Sequence, residues 1–267
     1  MTLVSPERAS HWYLAKDGQI VPFYEMPKKD GSGMRAPTVK DAREKGLLVS
    51  ISRIAGILPK PALNAWMQEQ AIYAALTLPR PDDEPLDAFA RRVVGDMESH
   101  SEKAREFGRR IHAQIEDELI SPATPCADDI APFMHGVREW IQNNVERVLG
   151  VEKVVGDVTL GIGGKLDLHC VLKPGVEAVV DFKTQGIKNG KAAFYPEFLI
   201  QLCGYSHCIM TKESTAAWPA MLSVVIDSIN PGPVHVKAHT NHEEGWSIFM
   251  KCFDLWCYVN NYRPNGP

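Results

Sequence analysis

A chain of 267 residues with 45% hydrophobic and 23% charged content suits one elaborated globular domain, or a core with a helical attachment. Its formal net charge of -4 argues against a protein that coats nucleic acid by bulk positive charge, while leaving room for a locally basic groove. The opening Met1-Thr-Leu-Val-Ser-Pro6 lacks the basic start and apolar run of a leader, and no later window approaches a membrane span, so a cytoplasmic protein without membrane contact is expected.

Residues 12–24 predict two short strands around Asp17-Gly18, packed at a sheet edge, and 27–34 predict a loop. Thr38 is placed to cap a short helix running through Ala42 towards Lys45. A short helix after Ser50 meets Pro59-Lys60-Pro61, and a longer one continues to about Leu78, with Ile54, Leu58, Leu63 and Trp66 expected to pack. After the break at 79–85, residues 86–120 read as helix, interrupted near Gly95 or 99–101. There Phe107, Ile111, Ile115 and Leu119 make an apolar stripe, so His112 and Glu116, four apart, lie along its border and can look into one cleft. By position alone His112 reads as a partly buried, hydrogen-bonded residue. Following a loop at 121–129, Pro132 opens a helix with Phe133, Val137, Trp140, Ile141 and Val145 on one face. Residues 151–160 predict a first core strand, and the glycines at 161, 163 and 164 a tight turn.

The stretch 164–184 carries the chemistry. Two β-prone runs flank Lys173-Pro174-Gly175, which predicts a hairpin with three loop residues, Leu172 opposite Val176, and Asp167 opposite Asp181. Alternation then puts Leu166, Leu168, Cys170 and Leu172 on one side with Ala178, Val180 and Phe182, and Lys165, Asp167, His169, Asp181 and Lys183 on the other. Carboxylates opposed across a ladder repel and are costly out of water unless compensated. A divalent cation with a preference for oxygen, Mg²⁺ or Mn²⁺, is the natural compensation, and Lys183 projects beside it. The bland alternative is a surface hairpin of solvated charges.

Beyond it, 185–190 predict a polar loop and 192–210 a helix with Phe198, Leu199, Leu202 and Ile209 buried, while Glu197, Gln201 and Tyr205 line up at four-residue steps. Strands at Ala220–Asp227 and 234–239 complete the sheet. Thr240 with Glu243 resembles a capping box for a last helix with the stripe Trp246, Phe249, Met250, Phe253 and Trp256. His235, His239 and His242 lack a second ligand cluster and are expected to be exposed. Six cysteines include no C-x-x-C pair, and the apolar company of Cys203, Cys208 and Cys257 predicts buried, reduced thiols.

Gly164-Lys-Leu-Asp167, Asp181-Phe-Lys183 and Gln201-Leu-Cys-Gly-Tyr205, spread over 108–205 with Gly108-x-x-x-His112, resemble the PD-(D/E)XK nuclease superfamily and, within it, the RecB-type exonucleases. Residues 50–66 are similar to the start of phage-encoded exonucleases of the same superfamily. The resemblance implies an α/β (α+β) restriction-endonuclease-like PD-(D/E)XK core at 106–267, a central mixed sheet flanked by helices, with 1–105 as N-terminal strands and a helical elaboration packed on it. It implies that His112, Asp167, Asp181 and the Phe182 carbonyl hold Mg²⁺ or Mn²⁺, and that Lys183 works with Asp167 and Asp181 in catalysis. Gln201 and Tyr205 would contact substrate, although Tyr205 as a packing residue stays open. Arg53, Lys60, Lys188 and Lys191 become the basic residues that would meet phosphates. The implied activity is a metal-dependent DNA exonuclease leaving 5'-phosphates, acting on linear DNA or free ends in phage-type recombination or repair, with a single-strand-binding or annealing protein as a candidate partner. A structure-specific endonuclease on the same core and a non-catalytic DNA-binding module are the alternatives. Iron-sulfur relatives carry three closely spaced cysteines after the core; only Cys252 and Cys257 follow it here, so no cluster is expected.

Overall fold

The structure, a computed structural model, describes residues 11–187, 189–213 and 217–264; Lys188 and the N-terminal stretch read for a leader lie outside them. Strands β1 (Trp12–Lys16) and β2 (Gln19–Pro22) are joined at Asp17 and Gly18, both at positive φ, the conformation that a two-residue hairpin turn requires. Within the segment expected to be a loop, β3 (Met26–Pro27) and β4 (Met34–Arg35) pair as a small separate ribbon. Thr38 caps helix α1 (Val39–Lys45) in a capping box with Asp41, whose carboxylate also accepts from Arg35 at 2.6 and 2.8 Å. Strand β5 (Leu48–Ser50) has only three residues, too few to show an alternation in sequence, and Ser50 then caps α2 (Ile51–Ala55).

Helix α3 (Pro61–Thr77) opens on a proline, as expected. Ile54 is buried and Leu58 and Trp66 partly so, but Leu63 is 44% exposed and does not pack as the sequence suggested. Helix α4 (Leu86–Ile120) runs without the predicted interruption. A single mid-helix glycine costs only about 1 kcal/mol, and Glu102–Arg105 and Glu106–Arg109 pairs at i,i+3 favour continuation.

Helix α5 (Ala131–Asn144) buries Met134, Val137 and Trp140. Strands β6 (Val145–Asp157), β7 (Ile162–Leu172) and β8 (Val176–Gln185) follow as an antiparallel meander. The first turn is centred on 158–161, with Gly161 at φ +78°, so Gly163 and Gly164 lie inside β7 rather than in the turn. Their lack of a side chain serves packing instead. A Cβ on Gly163 would stand 2.8 Å from Tyr13 Cγ, and one on Gly164 2.5 Å from Tyr205 Cε1.

Helix α6 (Pro196–Glu213) starts later than predicted, because the residue before a proline is pushed out of helical geometry. Strand β9 (Ala220–Asp227) lies parallel to β8, and β10 (His235–His239) antiparallel to β9. At the head of α7 (His242–Asn260) the cap position belongs to Asn241, not Thr240, and no side-chain cap forms; the Thr240 hydroxyl donates to Asn241 Oδ1 at 3.3 Å instead.

The larger sheet is mixed, in the order β10-β9-β8-β7-β5-β1-β2 with β6 on the other edge of β7, and β1 and β2 lie at one end as predicted. Helices flank it. Residues from α2, α6 and α7, including Ile51, Leu202, Cys203, Phe249, Phe253 and Trp256, share one buried cluster with Leu166 and Val179 of the sheet. Trp140 of α5 stands edge-on to Phe182 at 6.0 Å. All six cysteines are free, and Cys203, Cys208 and Cys257 are buried as expected. Among the described residues, no helix is long and apolar enough to cross a membrane. By compactness the chain forms one unit holding everything up to Leu58 and from His112 onward, and another at Pro59–Ile111.

Two glycine substitutions should have opposite signs. Gly164→Ala forces the Tyr205 ring off β7 and should lower stability by about 1–3 kcal/mol. Gly95→Ala adds a methyl into open space on a helix and should raise it by up to about 1 kcal/mol. Urea midpoints measured for both variants check the pair.

Candidate metal centre

The register predicted from the three-residue loop is observed, with Leu172 opposite Val176 and the ladder continuing to Leu168 opposite Val180. There it stops. One edge of β7 is occupied by β6 throughout, while the other is shared: β5 pairs with Ile162 and Gly163, and β8 pairs from Leu168 onward. Residues 164–167 lie where those two neighbours diverge. At the lower limit of the split, Asp167 takes over from the missing ladder, its Oδ2 accepting from the Phe182 N–H at 2.7 Å.

This break corrects the simple alternation. Leu166 and Phe182, expected on one side, part company: Leu166 shares a buried cluster with Val179, while Phe182 meets Trp140. Next to this break Glu152 takes φ +47° across from Asp167, and that one pair is missing from the β6–β7 ladder, which keeps its register from Val151–Leu168 to Lys153–Leu166. His169 is also corrected: it is 1% exposed, with Nδ1 3.0 Å from Lys153 Nζ and Nε2 2.7 Å from Glu177, so it is not part of an open charged face.

Four elements deliver the charged groups. His112 comes from α4, with Nδ1 3.7 Å from Asp167 Oδ2, and it hydrogen-bonds the Phe182 backbone. Glu152 comes from β6, Asp167 from β7, and Asp181 with Lys183 from β8. Ligand atoms of His112, Glu152 and Asp167 all lie within 4.8 Å of one another. Lys165 forms an ion pair with Glu152. Asp181, 1% exposed, is held by Lys183, whose Nζ lies 2.7 Å from Oδ1 and 2.6 Å from Oδ2; only the Oδ1 contact has hydrogen-bond geometry.

Burial pushes the Asp181 carboxyl up to about 6; Lys183 opposes the shift and Asp167 adds to it. Asp167 and Glu152 are raised for the same first reason, burial, and Glu152 further by Asp167. Burial and Lys183 lower His112, leaving a neutral imidazole near pH 7. Burial disfavours the charge on Lys183, but Asp181 and Asp167 outweigh it. Clustered carboxylates that resist ionisation, with a neutral imidazole beside them, make a donor set suited to a hard divalent cation. His112, Glu152 and Asp167 fit that role by distance, and Asp181 is the adjoining carboxylate.

No family model and no curated protein matches this chain. A solved structure titled "Crystal structure of SSO0001" matches at 14% identity over 73% of this chain and 86% of that one, with a TM-score of 0.29, a likeness too slight to bear on function.

The other predicted residues fall around the centre. Gln201 Nε2 donates to the Tyr205 hydroxyl at 2.9 Å. Tyr205 is 3% exposed, and its pKa is held well above the usual range by burial, then Asp181 and Asp167, so its phenol stays protonated beside the acids. The glycine of the G-x-x-D run and the tyrosine of the Q-x-x-x-Y run therefore touch. Glu116 acts on Glu152 and Lys165 through its charge. Arg53 is half-buried with its guanidinium 5.0 Å over the Trp12 ring. Lys60 and Lys191 are exposed. The expectation of exposed histidines fails at His239, which is 7% exposed, 2.9 Å from Ser223 Oγ and lowered to about 4 by burial, while His235 and His242 are half-buried. Glu152 was missed, since in sequence it looks like any strand glutamate.

Calorimetric titration with Mn²⁺ should show binding near pH 7 that weakens about tenfold by pH 5 as Asp181 protonates. The sign for the metal-free fold is opposite. A carboxyl raised from 3.8 to about 6 makes stability fall as pH rises through that window. Glu152→Gln should weaken Mn²⁺ binding by about 10–100-fold, and unchanged affinity would remove Glu152 from the centre.

Proposed function

We propose that this protein is a metal-dependent deoxyribonuclease, an exonuclease on a PD-(D/E)XK core that hydrolyses phosphodiester bonds to leave 5'-phosphates. The observation that carries the reading is the pairing of half-buried Asp167 with buried Asp181, with Lys183 bonded to Asp181 and His112 beside Asp167, four residues whose sequence motifs resemble that superfamily. His112, Glu152 and Asp167 would hold Mg²⁺ or Mn²⁺, with Asp181 and the Phe182 carbonyl adjoining. When bound, such an ion polarises a phosphoryl oxygen and acidifies a water.

The chain's own residues supply the rest. Asp181, ionised above about pH 6, can accept a proton from a water at the site, and Lys183 offers an ammonium for charge that builds on the phosphate. The Phe182 N–H fixes the Asp167 carboxylate, so its orientation does not depend on ligand. Gln201 and Tyr205 present a braced amide and a protonated phenol, donors suited to a phosphate or sugar oxygen. A place in phage-type recombination or repair, and a single-strand-binding or annealing partner, extend the reading by resemblance.

Digestion of end-labelled linear DNA tests it. With Mg²⁺ or Mn²⁺ the parent should release label, EDTA should abolish release, and a covalently closed circle should survive. Asp181→Ala and Lys183→Ala should each cut the rate by about 100-fold or more. Undiminished cleavage by both variants rejects the assigned residues, and cleavage of the circle replaces the exonuclease with an endonuclease on the same core.

A further inference from the structure

Beside the carboxylates the chain builds an aromatic shelf that the metal chemistry does not need. It sits in residues 191–195, which have no regular structure yet are firmly held: the Gln185 amide donates to the Ala193 carbonyl at 2.9 Å and accepts from its N–H at 3.2 Å. Asp227 accepts from Ile187 N at 3.2 Å on the other flank. Phe194 and Tyr195 pack against Ile187, Phe198 and Val225, and Tyr195 meets Phe198 edge-on at 5.5 Å. Phe198 is only 8% exposed and belongs to the core, whereas Phe194 and Tyr195 keep part of their surface open.

Two cations address these rings. Lys183 Nζ stands 5.6 Å from the Phe198 centroid, and Lys237 Nζ, from the exposed strand β10, stands 5.8 Å from that of Phe194. The shelf therefore begins at the lysine that would meet the phosphate and ends at a second lysine. Part-open rings flanked by ammonium groups are how proteins hold unstacked bases, since every base has a π-face and every nucleotide a negative charge.

We propose that Phe194 and Tyr195 stack an unpaired base of the strand whose phosphate meets Lys183, so that the preferred substrate is single-stranded or frayed DNA. This rests on the nuclease reading above. A base inside a duplex has both faces covered by its neighbours and reaches the shelf only after unstacking.

Fluorescence anisotropy in EDTA, where no cleavage occurs, tests the shelf on the full chain. The probes are a dye-labelled single strand of roughly 12 nucleotides and an abasic strand of the same length and phosphate number. The parent should prefer the strand with bases by about tenfold. A Phe194→Leu, Tyr195→Leu double variant keeps apolar volume but loses the π-faces. It should lose that preference and bind the abasic strand as the parent does. Equal affinity of the parent for both strands, no binding of either, or a preference that survives in the double variant overturns the shelf. Because the readout is binding without turnover, failure here leaves the digestion assay to decide the nuclease reading separately.

Discussion

One edge of β7 serves two neighbours, and the chemistry of the site follows from the gap between them. β5 takes the start of that edge and β8 its end, so residues 164–166 have a ladder partner on the β6 side alone and Asp167 has none on either side. A backbone N–H buried without an acceptor costs roughly 1–3 kcal/mol, and Phe182 would have had one. The Asp167 carboxylate fills that place. Its job in the fold thus fixes its position in the site, which couples local stability to the geometry of the charged cluster. At the same place Gly164 leaves the space that the Tyr205 ring of α6 occupies, close enough to both acids to feel their charge.

The cluster is electrostatically unsettled. Asp167, Asp181 and Glu152 all have raised pKa values with burial as the largest cause, and two lysines only partly offset them. Lys165 pairs with Glu152 and Lys183 with Asp181, and the same two lysines, Lys183 foremost, act on Asp167 together with the Phe182 N–H. A fold selected for stability alone would place apolar residues here, because unpaired buried charge is costly and well-packed replacements are often neutral or better. Acids kept under such strain are a common mark of sites that take up a cation or a proton.

How much of this could be read beforehand depends on the range of the interaction concerned. Loop length fixed Leu172 opposite Val176, and hence the approach of Asp167 to Asp181, because a hairpin register is a local property. The capping box at Thr38, the Asp17-Gly18 turn and the proline-led helices were legible for the same reason. Glu152 was not, since its role depends on a positive φ and a missing ladder pair that arise only in the assembled β6–β7 hairpin. Gly163 and Gly164 read as a turn because glycine signals both a turn and a close approach, and the residues that approach them, Tyr13 and Tyr205, are far away in the chain. His169 and His239 looked solvated on period-two patterning, yet each is buried with a polar partner supplied by a neighbouring strand.

The position of Lys183 links the two halves of the site. Its ammonium is shared between a buried carboxylate on one side and an aromatic face on the other. Both contacts favour the charged form, which burial by itself would suppress. A lysine held this way stays cationic near neutral pH while keeping a quarter of its side chain exposed, so part of its charge faces solvent. Arginine would not substitute well, because a planar fork cannot sit at once over the Phe198 ring and between the two oxygens of Asp181 with the reach of a single ammonium point. The D-x-K spacing then has a physical meaning: two residues along a strand return to the same face, and that step sets the carboxylate and the ammonium side by side.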